Sequence, residues 1–344
     1  MDHEISRGAR RKKVLLISVV ISLILLFFAV LDLAQAYIPL SFRDAFLALF
    51  GKGTWYNVRI VQNINGPRVV MGCIVGAGLG ISGAVMQAIF RNPMASPYIL
   101  GLSSGASFGA ALAILFAIPF IPFQLAAPIL AFIFCLATMF LVYSISRVGG
   151  RVPTETLLLS GIAVGSLFSA LVSLLTYISD DKMKDIVFWS MGSLSQSGWD
   201  DIFIALPLIL AGSLLMISRS RELNAMMLGD AHAKDLGVEV KKVRLEILFS
   251  ASLVTAASVA FVGVIGFVGL VIPHILRIVM GPDNRALLPM SMIGGAAFVV
   301  ACDYLSRVMF PSLGVIPIGI LTSLIGAPYF IYLLRRRKNE VGWN

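Results

Sequence analysis

Ten stretches of mostly apolar residues recur along this chain, most of them near the length of about twenty residues that carries an α-helix across a bilayer. They lie near 14–36, 67–90, 98–118, 123–146, 156–178, 201–219, 247–265, 267–280, 286–308 and 317–334. In lipid every backbone N–H and C=O must be satisfied within the protein, which leaves helices or a closed barrel, and uninterrupted runs of this length read as helices. The expected fold class is therefore all-α: a polytopic membrane protein with about ten transmembrane helices. Spans seven and eight are the least distinct. They run together through Val262-Gly263-Val264-Ile265-Gly266-Phe267, and the eighth is short, which is allowed where it faces protein or a cavity.

Composition agrees. Of 344 residues, 58% are hydrophobic and 13% charged, with a mean hydropathy of +0.92. A soluble domain of this size lacks the interior to hide so much apolar surface. A cytosolic enzyme, a disulfide scaffold and a disordered protein are thereby excluded. Cys73, Cys135 and Cys302 sit in apolar stretches without paired spacing and read as small core residues.

Lys and Arg exceed Asp and Glu by nine. With an even number of spans and both termini in the cytoplasm, twenty basic residues fall inside. Seven fall outside: Arg43, Lys52, Arg59, Arg68, Lys182, Lys184 and Arg307. That asymmetry supports both the parity and the orientation in a cell membrane. The chain divides into a basic tail (1–13), one membrane domain (14–334) with a long inner connection at 219–246, and a second basic tail (335–344). Ala34-Gln35-Ala36 resembles a signal-peptide cleavage site, but the run from Val14 to Leu31 is too long and Asp32 interrupts it, so the first span reads as a retained helix. Tyr37, Trp55, Tyr56, Trp189 and Trp199 fit an outer aromatic belt.

Ionisable groups are nearly absent from span interiors. Asp32 and Asp303 lie near outer ends, and Asp303 is spaced to pair with Arg307 one helical turn on. Glu155 lies at an inner end, and His274 follows Pro273 near the inner side as an interfacial residue. Ion-coupled carriers usually bury charges near the midplane, so energy enters another way. An ion-coupled secondary transporter with five-plus-five inverted halves is the alternative that the span count permits. An intramembrane enzyme or a receptor without transport is the second competitor, but the sequence shows no nucleophile–base pair or metal-ligand cluster, and no cofactor or metal is expected. Gly78-Leu79-Gly80-Ile81-Ser82-Gly83 matches G-x-G-x-x-G but lies within an apolar helix with no preceding strand. Gly72, Gly76, Gly80 and Ala84 instead make a smooth ridge for close helix packing. The chain has no Walker A loop, so any ATP must be bound by another subunit.

The inner connection carries its own punctuation. Gly229 is placed to end one short helix, Asp230 to cap the next from Ala231 to Leu236, and Gly237 to stop it. Leu228, Ala233 and Leu236 would form an apolar bump. On the residues alone, this helical knuckle is either a docking element for a cytoplasmic partner or an ordinary surface loop.

Several motifs occur in family order over nearly the whole length. Asn65-Gly66-Pro67-Arg68 stands at an R-L-P-R motif. Ser82-Gly83-Ala84-Val85-Met86-Gln87 precedes Arg91-Asn92-Pro93-Met94-Ala95-Ser96-Pro97 and then Leu100-Gly101-Leu102-Ser103-Ser104-Gly105-Ala106. The knuckle matches L-G-x-x-x-A-x-x-L-G. Gly266-Phe267-Val268-Gly269-Leu270-Val271-Ile272-Pro273-His274-Ile275-Leu276-Arg277, Pro317-Ile318-Gly319 and Gly326-Ala327-Pro328 complete the set. In these the chain resembles the FecCD/cobalamin-type permease subunits of type II ATP-binding-cassette importers, which move iron–siderophores, haem, cobalamin and related chelates.

The resemblance implies a dimer with a second permease subunit, alike or different, and two cytoplasmic ATP-binding subunits coupled through Leu228, Gly229, Asp230, Ala233, Leu236 and Gly237. It implies an external binding protein docked on Arg68 and Arg307, with Arg59 as a substitute contact, and an inner gate at Asn92, Met94 and Thr154. The motif's first arginine is Asn65 here, and the acidic residue expected before L-P-[IV]-G is Val315; the first departure weakens one docking contact.

Overall fold

A computed structural model describes residues 2–35, 40–116, 118, 121–147, 149, 152–310, 312 and 314–341. Among them the chain forms fifteen α-helices and no strand. Ten match the ten apolar runs: α1 (Asp2–Ala34), α4 (Gly66–Ile89), α5 (Leu102–Leu115), α6 (Phe123–Ile145), α7 (Thr154–Ile178), α9 (Trp199–Ser218), α12 (Val240–Val262), α13 (Val268–Met280), α14 (Asn284–Val308) and α15 (Ile318–Val341). Between them lie α2 (Phe42–Leu49), α3 (Trp55–Ile60), α8 (Met183–Ser190), α10 (Ser220–Met227) and α11 (Asp230–Asp235). Seven helices are long and apolar enough to cross a membrane, and three shorter apolar helices, at Leu102–Leu115, Val268–Met280 and Ile318–Leu333, complete the ten. The basic residues before Val14 continue the helix of the first span, as those after Leu334 continue the last.

Helix α4 is the hub. It packs on α14, α12, α13 and α9, and 78% of its most apolar window is buried. Its small residues explain how. A Cβ on Gly76 would stand 2.4 Å from the Gly295 carbonyl oxygen, on Gly80 2.1 Å from that of Ser291, and on Gly83 1.8 Å from that of Gly269. Backbones this close require glycine, so the G-x-G-x-x-G stretch is a packing seam. Helix α1 is the opposite case: none of its most apolar window is buried, and Leu15, Leu16, Leu23, Leu26 and Phe27 are exposed as lipid-facing side chains are.

The boundary between spans seven and eight is a break. Helix α12 ends at Val262 and α13 begins at Val268, with Gly263 at φ +71° and Phe267 at φ +63°. Protein satisfies the opened backbone. Ser193 N–H donates to Val262 O (2.7 Å), and Tyr98 O–H donates to Ile265 O (2.9 Å). At thirteen residues α13 is about 20 Å long. It is a half-span tolerated because protein packs around it. Tyr37, one of the expected belt residues, lies outside the described residues.

Candidate coupling, gate and docking sites

The knuckle is two short helices on an anchored base. Gly229, at φ +120°, separates α10 from α11 and is itself the N-cap. Asp230 is therefore not the cap that its position suggested. It is the first helical residue, and its carboxylate accepts two hydrogen bonds from the Arg244 guanidinium (2.8 and 3.0 Å) and one from Arg91 (3.3 Å). Gly237 ends α11 at φ +82°, where Gly237 N–H donates to Lys234 O and Val238 N–H to Ala233 O, a Schellman closure. Ala233 points inward and is fully buried, so it does not belong to the bump. Leu228 and Leu236 do: they are 69% and 67% exposed.

The base is held on three sides. Arg219, at the end of α9, pairs with Glu222 (3.1 Å) and Glu246 (2.9 Å), and these contacts, Glu222 foremost, raise its pKa. Asn224 of α10 donates to Asp283 (2.8 Å) and accepts from Asn284 N–H (2.9 Å) at the start of α14. The Asp283 carboxyl is held down at about 2, first by the Arg285 guanidinium.

The turn after α4 reaches the knuckle from the other side. Arg91 N–H donates to Ala88 O and Asn92 N–H to Gln87 O, closing the helix with Arg91 at φ +47°. Glycine is the usual occupant of such a position, and a side chain there costs roughly 1–2 kcal/mol. Asn92 Oδ1 then accepts from Met94 N–H (2.9 Å), so Asn92 and Met94 share one turn, with Met94 half-buried. Thr154 opens α7, half-buried, two turns before Gly161, which packs against Ile99 and Leu100 beyond that turn. The preceding connection is tied by Thr156 Oγ1–H to Ser146 O (3.1 Å).

At the far end of the bundle, α1, α4 and α14 converge on a buried ionic cluster. Arg68 binds Asp303 with two hydrogen bonds (2.5 and 2.8 Å). Arg307 binds Asp32 (2.8 Å) and also donates to Asn65 Oδ1 (3.0 Å) and to the Gln35 carbonyl. One expectation is corrected: Asp303 pairs with Arg68 across helices, not with Arg307 one turn away. Arg68 and Arg307, the expected docking residues, have side chains 7% and 10% exposed, each held by a carboxylate of this chain. A buried cation that lacks a carboxylate is costly, and Asp32 and Asp303 supply the two needed. Among the described residues, the exposed basic residues at this end are Arg43, Lys52, Arg59 and Lys184.

The FecCD transport family model matches residues 7–336. The chain belongs to this family. Among FecCD-type relatives, it is 47% identical over 280 residues to the cobalamin import system permease protein BtuC of Halobacterium salinarum, covering 81% of this chain and 74% of that one. It is 40% identical over 306 residues to the hemin transport system permease protein HmuU of Yersinia pestis, covering 88% and 90%. Its backbone is similar to an inward-facing metal-chelate type ABC transporter (TM-score 0.80, 37% identity, 92% of this chain and 97% of that one). The chain is thus a multi-pass membrane protein and a transport subunit of the ABC permease type.

Against the family's R-L-P-R, the departure at Asn65 gains a physical reading. Asn65 closes a five-residue π-helical segment, and its amide donates to the Leu33 and Gln35 carbonyls (2.9 and 2.7 Å) where α1 ends. An uncharged amide there satisfies the end of α1 without adding a third cation to the cluster. Sequence reasoning missed Asp32 as the partner of Arg307. Its only signal was an acidic residue at the end of an otherwise apolar run.

Proposed function

We propose that the chain forms the translocation path of an ATP-driven importer for a metal chelate such as an iron–siderophore, haem or cobalamin. Delivery is by an external binding protein. The observation that carries this reading is the knuckle: two exposed leucines, Leu228 and Leu236, displayed on a short helix pair locked to α4, α9, α12 and α14 by ion pairs and amide contacts. Exposed apolar side chains on a braced, charged platform suit a protein groove better than solvent. Two cytoplasmic ATP-binding subunits occupy that platform, one for each permease in a dimer. Both termini are cytoplasmic. Lipid covers α1 and the other exposed apolar faces.

The cargo class rests on relatives named for cobalamin and hemin transport. A groove of about 630 Å³ beside the break at 263–267, lined mostly by apolar groups such as Met191, Val264 and Pro328, suits a path that binds cargo weakly and leaves selectivity to the binding protein. Asn92, Met94 and Thr154 form the inner gate, and Arg59 is the docking cation left exposed.

Leu236→Asp tests the reading, because it would bury an unpaired carboxylate in the ATPase groove, a penalty of several kcal/mol. The variant is expected to insert normally and to lose co-purification of the ATPase subunit. Retention at the wild-type level would overturn the assignment.

A further inference from the structure

We propose that Arg91 is a positioning residue that makes the gate turn follow the knuckle, with the Asp230 carboxylate as the joint. The inference rests on the assignments of the knuckle and the gate above. Asp230 is shared between two arms of unequal strength. Arg244, on α12, is 15% exposed and makes two short bonds to it, which ties Asp230 to the start of the helix that follows the knuckle. Arg91, 45% exposed, makes a single longer bond of 3.3 Å.

A pair as open as Arg91–Asp230 adds little to stability. The left-handed backbone at Arg91 works against stability, since glycine would hold the same closure without strain. Packing does not account for an arginine at that position. Reach does. From the end of α4 the guanidinium extends across Gly229, where an added Cβ would stand 3.8 Å from its Nη1, to the first residue of α11. Its backbone is joined on one side to α4 through Ala88 and on the other to Asn92, whose side chain holds Met94. A shift of the knuckle against α4 therefore pulls on the turn that carries the gate residues. Backbone strain at a side chain that links two separate elements is a recognised mark of function.

The experiment uses the full complex with its ATPase subunit. Native cysteines are replaced by alanine, and Met94→Cys is labelled by a membrane-impermeant maleimide with and without ATP and vanadate. No cargo is needed. The parent is expected to change its labelling rate about fivefold with nucleotide. Arg91→Gly should reduce that change to within about twofold while keeping the ATPase bound and melting no lower than the parent. Arg91→Lys, which keeps the charge, should restore part of the response. A full nucleotide response in Arg91→Gly overturns the proposal, as does a parent without any response. A parent that fails to retain its ATPase overturns the assignment of the knuckle as the ATPase dock, on which this inference rests.

Discussion

Asp32 and Arg307 lie 275 positions apart and meet at 2.8 Å. Together with Arg68 and Asp303 they join three helices in a cluster almost closed to solvent. Such a cluster contributes less by its attraction than it would cost if broken, because removing one partner strands a buried charge. Arg307→Ala is accordingly expected to destabilise the detergent-solubilised protein by about 3–5 kcal/mol, read as a fall in melting temperature. The paired replacement Asp32→Leu with Arg307→Leu should recover most of the loss. If Arg307→Ala melts with the wild type, the cluster is not closed as described. The same residues show where a sequence is silent. Arg68 and Arg307 read as outer charges because their positions along the chain are all that a linear reading has, and which carboxylate each one faces depends on how α1 leans on α14.

At the scale of elements, α4 is defined by what it leaves out. Gly76 and Gly80 meet α14, and Gly83 meets Gly269 of α13, each so closely that a methyl group would overlap a carbonyl. Gly83→Ala should therefore lower the yield of folded protein and its melting temperature, with overpacking worth about 1–3 kcal/mol or more. Gly266→Ala is the matched control, since a Cβ there meets only Ser323 Oγ at 3.6 Å. Equal melting temperatures for the two variants would mean that the α4–α13 contact is looser than this geometry. The ridge was visible in the four-residue recurrence of glycine. Its partners were not, because small residues also occur on α5, α7 and α14 without marking which ridge faces which.

Across the whole molecule the two ends differ in chemistry. One end carries the knuckle, the turn at Arg91 and the start of α14, bound together by exposed and half-exposed ion pairs. The other pairs Arg68 and Arg307 inside and leaves Arg43, Lys52, Arg59 and Lys184 outside. If an acidic binding protein docks at that end, Arg59 is the family-motif neighbour free to meet it. Rim charges of this kind govern on-rate and salt sensitivity. Arg59→Glu is expected to slow association of the purified binding protein with the solubilised complex and to flatten its salt dependence, leaving ATPase retention unchanged. An unaltered salt slope would place the docking charges elsewhere.

The chain by itself determined the number, order and approximate limits of its membrane helices, because hydrophobic length is a local property and lipid enforces it residue by residue. It also determined the punctuation of the knuckle, because Gly229 and Gly237 carry their backbone preferences with them. Only the tertiary structure decided that Ala233 faces inward, that Asp230 is the first residue of α11, paired with Arg244 and Arg91, and not its cap, and that Arg68 and Arg307 are paired with Asp303 and Asp32. Each of these depends on contacts between segments far apart in sequence. A charge or a methyl group is inside or outside according to the helix that comes to lie against it, and no local pattern carries that partner's identity.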